Sequence, residues 1–311
     1  MVRITKTVDR KLVDVEEFEP GIWAHLTAPT ARELEEVSSL LNLDMDLVKA
    51  ALDEEERARV EVDGDHTLII VDIPIVEKGS KTSMYTTLPL GIVLTEDCIC
   101  TVCLKETPLI NDFFSGRVRN FYTTKRTRFI LQLLYNNATK FLAYLRQIDK
   151  ASTRVEEELH KSMKNKELIE MLRLEKSLVF FSTSLKGNEL VLEKLFRMDY
   201  IEKYPEDTDL LEDAIIENKQ AIEMCTIYRD ILSGTMDAFA SVISNNLNIV
   251  MKFLAAVTIL LALPTVVSGL WGMNFDVIPL SNNPMGFWMV TGGVAVIVGV
   301  VALIMVKKNM F

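Results

Sequence analysis

Charge all but disappears from this chain beyond residue 251. Of its 34 Lys and Arg only Lys252, Lys307 and Lys308 lie there, and of its 44 Asp and Glu only Asp276. Phe253 to Phe275 carries no charged residue, and neither does the run from Val277 to Val306. A helix rising about 1.5 Å per residue crosses a bilayer core of about 30 Å in some twenty residues, so each run is long enough to span a membrane. The pattern predicts two transmembrane helices, at 253–271 and 285–306, joined by a loop at 272–284. The loop has no Lys or Arg, whereas Lys252 precedes the first span and Lys307 and Lys308 follow the second. By the positive-inside rule both termini are expected in the cytoplasm, with 307–311 as a basic cytosolic tail.

Other scarcities narrow the chemistry. Four cysteines fit a reducing compartment rather than a disulfide framework. Three of them, Cys98, Cys100 and Cys103, form "CICTVC", a spacing open to a metal but with no histidine nearby in sequence. Its alternation reads as a buried strand with core thiols, and Cys225 reads the same way in a helix. The three histidines, His25, His66 and His160, are scattered, which argues against a zinc or catalytic cluster. No G-x-x-x-x-G-K-[ST] loop is present, so no ATP-driven pump is expected, and with no nucleophile or metal triad no enzyme either. The first ten residues, "MVRITKTVDR", contain neither an apolar secretory core nor an acid-poor presequence.

What is there falls into blocks. The first 251 residues hold 31 basic and 43 acidic side chains, net −12, an acidic body for which no nucleic-acid partner is expected. Up to residue 105, "IWAHL", "HTLIIVDIPIV" and "MYTTLPLGIVLTEDCICTVCL" read as strands, with a helix opened by the Thr30–Glu33 capping box and another by Asp44. Residues 106–205 turn helical: Pro108–Tyr122, Lys125–Lys164 and Lys166–Met198 are expected as helices, the latter two as a protruding, charged hairpin. From Glu206 no proline occurs until Pro264, and Leu211, Ile215, Ile222, Cys225, Leu232, Phe239 and Ile243 form an apolar seam interrupted by Asn218 and Arg229. A stalk helix at 206–252 that continues into the membrane is expected, its seam seeking partners in an oligomeric bundle.

The first span has one face unlike the rest. Steps of three and four residues lead from Asp237 through Ser241, Ser244, Asn248 and Met251, then through Ala255, Thr258, Ala262, Thr265, Gly269 and Gly272. Nearly every member is polar or small, while the other faces carry Phe, Leu and Val. Two readings stand: close helix packing on small residues, or the lining of an aqueous path.

The stripe ends at Gly272-Met273-Asn274. A Gly-Met-Asn triplet at the outer end of the penultimate span, near the C-terminus of a two-span chain with a large N-terminal domain, resembles the CorA family of magnesium transporters. "ALDEEERARVEVDGDHTLIIV", "YRDILSG" and Lys307-Lys308 extend the likeness over most of the chain. Trp271 stands where the family usually has Tyr, and the loop reads Ile278-Pro279-Leu280 without the family's Glu, leaving Asp276 as its only acid.

The resemblance implies an α+β membrane protein: a cytosolic α/β domain, a long stalk helix running into the pore-lining first span, and a funnel-shaped homopentamer in the plasma membrane of a prokaryote. It implies Mg²⁺ as both cargo and cytosolic regulator; recognition through a hydration shell adds the expectation that Co²⁺ and Ni²⁺ compete. Carried over by position, Gly272, Met273 and Asn274 form the outer ion-binding ring. Thr265, Asn248 and Asp237 are further pore positions, Met251 and Leu254 the hydrophobic gate, and Asp213 a regulatory metal ligand; Asp276, where the loop departs from the family, is expected by its charge alone to form a ring at the mouth. Transport of another divalent metal such as Zn²⁺, efflux instead of uptake, and a membrane-anchored scaffold are the competing readings.

Overall fold

A computed structural model describes the chain except for Arg10, Phe18 and residues 79–82, 163–164, 198–204, 274–279, 281–283 and 309–311. The chain forms two units, Met1–Thr235 and Met236–Phe311.

The first unit is built on a seven-stranded sheet. Its strands are β1 (Val2–Val8), β2 (Lys11–Asp14), β3 (Ile22–Thr27), β4 (Arg59–Asp63), β5 (His66–Lys78), β6 (Ser83–Leu94) and β7 (Cys98–Cys103), in spatial order β2-β1-β3-β7-β6-β5-β4. Among the described strands only β3 and β7 run parallel, in register from Ile22↔Cys98 to Thr27↔Cys103. Both are buried on both faces, as parallel strands must be.

Alternation along these strands feeds two cores. Ile22, Ala24, Cys98, Cys100 and Val102 point to one face, where α1 (Ala31–Leu41) and α2 (Met45–Ala50) cover them with Leu34, Val37, Leu41 and Val48. Trp23, Ile99, Val71, Ile73 and Ile92 point to the other, against Phe113, Phe129, Leu133, Leu192 and Leu211. The capping box starts α1: Glu33 N–H donates to Thr30 Oγ1 at 3.3 Å while Thr30 N–H donates to Glu33 Oε2 at 2.8 Å. Gly91 on β6 lets α2 approach, since a Cβ there would sit 2.6 Å from that of Ala51.

All four cysteines are free and buried in this unit, and burial pushes the thiols of Cys103 and Cys225 up to about 11. The core reading holds, and among the described residues no group of three His, Cys, Asp or Glu is placed to hold a metal. His25 is likewise structural. Trp23 Nε1–H donates to Thr101 Oγ1 at 2.8 Å, and the His25 ring is held between two hydroxyls, its Nδ1 2.8 Å from Thr101 Oγ1 and its Nε2 3.0 Å from Thr27 Oγ1. Burial lowers its pKa to about 4, so it is a neutral ring in the folded protein at neutral pH.

The helices of the second face are α3 (Pro108–Phe114), α4 (Arg126–Ser162), α5 (Asn165–Arg197) and the 67-residue α6 (Pro205–Trp271). The last crosses from the first unit into the second. The helix expected over 108–122 stops at Phe114. Gly116, at φ 70°, closes it: its N–H donates to Phe113 O at 3.1 Å and Arg117 N–H to Asp112 O at 3.0 Å, the paired bonds of a Schellman ending.

Part of the apolar seam of α6 is covered within its own chain. Leu211, Ala214, Ala221, Cys225 and Leu232 are buried. Asn218, expected to interrupt the seam, clasps it to α5: its Nδ2 donates to Leu185 O at 3.0 Å, and one heptad on Cys225 Sγ–H donates to Leu178 O at 3.1 Å. On α5, Leu178, Phe181 and Leu185 are buried around these two contacts. Ile216, Ile227 and Ile231 stay exposed on the other side of α6.

A second asparagine ties α5 to the sheet. Asn188 Oδ1 accepts Asp72 N–H at 2.9 Å and its Nδ2 donates to Asp72 O at 2.8 Å, doing for this residue of β5 what a neighbouring strand would do. Asn137 of α4 adds a second donor to the same carbonyl at 2.8 Å. Removing the Asn188 amide leaves a buried backbone N–H without an acceptor, which costs about 1–3 kcal/mol. Asn188→Ala should therefore lower the unfolding free energy of the purified chain by about 2 kcal/mol in denaturant titration; a loss within experimental error would refute the strand-replacement role.

Candidate ion pathway

The second unit contains the end of α6 and α7 (Gly286–Lys307). Both helices are long and apolar enough to cross a membrane. On α6, accessibility sorts the faces. Ala256 is buried, and Val257, Leu260, Leu263, Pro264, Val267 and Trp271 are partly covered. At the outer end Pro264, Val267, Ser268 and Trp271 meet Phe287, Val290, Thr291 and Val294 of α7 across a cleft of about 350 Å³. This is the side on which α7 lies.

The polar stripe lies on the opposite side. Asp237, Ser241, Ser244, Asn248, Met251, Ala255, Thr258, Ala262, Thr265, Gly269 and Gly272 are all exposed in the single chain. Close packing against α7 is thus not what these small residues serve. Met251 is 58% and Leu254 53% exposed, the first on the stripe and the second at its flank.

Local chemistry fixes what the stripe presents. Thr258 and Thr265 each donate their hydroxyl proton to the carbonyl four residues back, Leu254 O and Leu261 O, both at 2.8 Å. Ser241 does the same to Asp237 O at 3.1 Å. With the proton spent inside the helix, each hydroxyl has only lone pairs left to offer outward, which suits a cation or its water. Pro264 has no N–H, so the Leu260 carbonyl lacks its usual helical donor. Gly272 caps the row: its N–H donates to Ser268 O at 2.9 Å, and a Cβ there would sit 3.2 Å from that same oxygen.

Of the residues expected to bind ions, Gly272, Met273, Thr265, Asn248 and Asp237 are described, and all are exposed; Asn274 and Asp276 lie outside the described residues. Thr258 belongs with Thr265 in its hydroxyl geometry, though the family pattern singled out only the latter. The seven-residue interval Thr258, Thr265, Gly272, two helical turns each, is the signal that marks it.

The position expected to be regulatory shows no ligand set. Asp213 is exposed on α6, and among the described residues it has no ionic partner and belongs to no metal-holding group. Glu77 of β5 is paired with Lys105 at 2.9 Å.

Comparisons with known proteins agree with one another. The model of the family described as CorA-like Mg²⁺ transporter protein matches residues 19–308. The chain is similar to the cobalt/magnesium transport protein CorA of Methanocaldococcus jannaschii, 32% identical over 286 residues that cover 89% of this chain and 87% of that one. It is also similar to the cobalt/magnesium transport protein CorA of Thermotoga maritima, 24% identical over 312 residues covering 95% and 86%. Among solved structures, the complete CorA magnesium transporter of M. jannaschii superposes with a TM-score of 0.87 at 26% identity, covering 100% of this chain and 99% of that one.

Proposed function

The chain belongs to the CorA family and is a divalent-metal transporter, not an enzyme, and from that premise we propose that it conducts hydrated Mg²⁺ into a prokaryotic cell through a homopentamer. The observation that carries this reading is the polar stripe of α6, exposed on the side away from α7. Hydroxyls and backbone-lined glycines facing hydrocarbon gain nothing, whereas copies of the chain arranged around an axis turn them toward shared water. Exposed Ile216, Ile227 and Ile231 in the first unit provide apolar surface for the same association.

Mg²⁺ gives up its water reluctantly and binds at short octahedral distances. Rings of neutral oxygens, from Asn274 amides, Gly272 carbonyls and Thr265 hydroxyls, take hydrogen bonds from the ion's water shell without stripping it. Neutral acceptors hold weakly enough to release, and Asp276 and Asp237 draw cations to either end. Selection through a hydration shell admits ions of like size and hydration, so Co²⁺ and Ni²⁺ compete. Met251 and Leu254 close the path by dewetting. Inward flow is driven by the membrane potential, worth about 2.3 kcal/mol per elementary charge per 100 mV and twice that for a divalent ion.

Regulation is proposed at Asp213. This exposed carboxylate has no ionic partner among the described residues, and with a carboxylate of the next copy it would hold Mg²⁺ between stalk helices and keep them closed when cytosolic magnesium is high.

In transport-deficient cells, Asn274→Ala should reduce Mg²⁺ uptake at least tenfold and abolish competition by Co²⁺; undiminished, Co²⁺-sensitive uptake would count against the outer ring. In liposomes loaded with millimolar Mg²⁺, Asp213→Asn should retain uptake that the parent chain loses. Equal inhibition of both would remove Asp213 from regulation while leaving the pathway itself untouched.

A further inference from the structure

The geometry points to a binding site for a phosphate-bearing small molecule of nucleotide size in the first unit, in a cleft of about 570 Å³ between the start of β2 and the loop that follows α3. Lys11, Ser115, Arg119, Asn120 and Tyr122 line it with Phe114, and no lining residue is acidic. A volume in this range is typical of small-molecule sites, about 300–1,000 Å³, and exceeds what a bare phosphate needs.

Charge in this region runs against the rest of the protein. The chain is net −10, yet from Phe113 to Ile148 it contains no Asp or Glu, while Arg117, Arg119, Lys125, Arg126 and Arg128 fall within the first sixteen of those residues. Most of these cations are engaged. Arg117 pairs with Asp112 at 2.8 Å, Arg126 donates to Thr95 O, Arg128 reaches Glu206 at 3.0 Å, and the Lys125 ammonium lies 5.7 Å from the Tyr122 ring centre. Arg119 and Lys11 are different. Both are exposed at the cleft, and among the described residues neither has an ionic partner.

The loop that carries Arg119 is fixed from three sides, so the cleft exists before any ligand arrives. Thr7 and Thr123 exchange bonds, Thr7 N–H to Thr123 Oγ1 at 3.0 Å and Thr123 N–H to Thr7 Oγ1 at 3.1 Å. Gln132 Nε2 donates to Arg119 O at 3.1 Å. Phe121 is sunk among Phe113 and Phe129, with ring centres 5.1 and 4.8 Å away. Held by its backbone, Arg119 has only its guanidinium free. That fork matches two phosphate oxygens, Lys11 adds a point charge, and the Asn120 amide with the Ser115 and Tyr122 hydroxyls supplies neutral hydrogen-bonding groups. A soluble nucleotide and a lipid headgroup both carry such a phosphate, and its recognition is the same.

Calorimetric titration of the purified full-length chain in detergent with EDTA, using ATP, pyrophosphate and glycerol 3-phosphate as separate probes, tests the site. Saturable binding of at least one probe is expected, weakened by salt, with affinity reduced about tenfold or more in both Lys11→Ala and Arg119→Ala. Lys49→Ala, an exposed charge outside the cleft, should bind like the parent chain, and melting temperatures should be alike. ATP bound more tightly than glycerol 3-phosphate identifies a soluble nucleotide as the source, and the reverse order a lipid headgroup. Absence of saturable binding at millimolar probe, or equal affinity in all variants, overturns the site.

Discussion

A polar group inside a membrane must find a partner or water, and this constraint organises the C-terminal part of the molecule. The hydroxyls of Thr258 and Thr265 satisfy half of it by donating into their own helix at 2.8 Å. Their lone pairs, the free carbonyl behind Pro264 and the glycines at the outer end remain, all but the carbonyl on a face that α7 leaves uncovered. A helix that satisfied its polar groups against α7 would be a packing device. One that keeps them on the opposite side is suited to share them with further copies of itself around water.

The soluble unit solves a related problem with amides in place of copies. Asn188 and Asn218 each complete backbone hydrogen bonding on another element, Asp72 of β5 and Leu185 of α5. Between them they fix α5 against both the sheet and α6. A buried amide does this well because it carries a donor and an acceptor a fixed distance apart. The unit is thereby a firm base for α6, which is the one element common to both units. The Asp72 carboxyl, pushed upward by burial and pulled partly back by the Ser184 hydroxyl, sits beside the same clasp.

Much of this was legible in the sequence, for particular reasons. Long apolar runs, the Thr30–Glu33 box and the two-residue alternation of β3 and β7 are local signals, written in spacing alone. The ending of α3 was also local, in Ser115-Gly116, but the apolar periodicity through Phe121 masked it. The seam of α6 was visible while its partner was not, because a heptad pattern states which face is apolar and not which helix covers it. Asn218 read as an interruption for the same reason: whether a buried amide is a defect or a clasp depends on the carbonyl opposite. Nor did sequence show that Lys11 and Arg119, more than a hundred residues apart, share one cleft.

The central claim, that the stripe of α6 faces water within an assembly, is tested most directly by single-cysteine scanning of residues 258–272 in the membrane, read with a membrane-impermeant thiol reagent. The account predicts labelling of Thr258→Cys, Ala262→Cys, Thr265→Cys and Gly269→Cys, slowed by external Mg²⁺, with Leu260→Cys, Leu263→Cys and Val267→Cys protected. Uniform protection, or labelling that follows the α7 side instead, would contradict it.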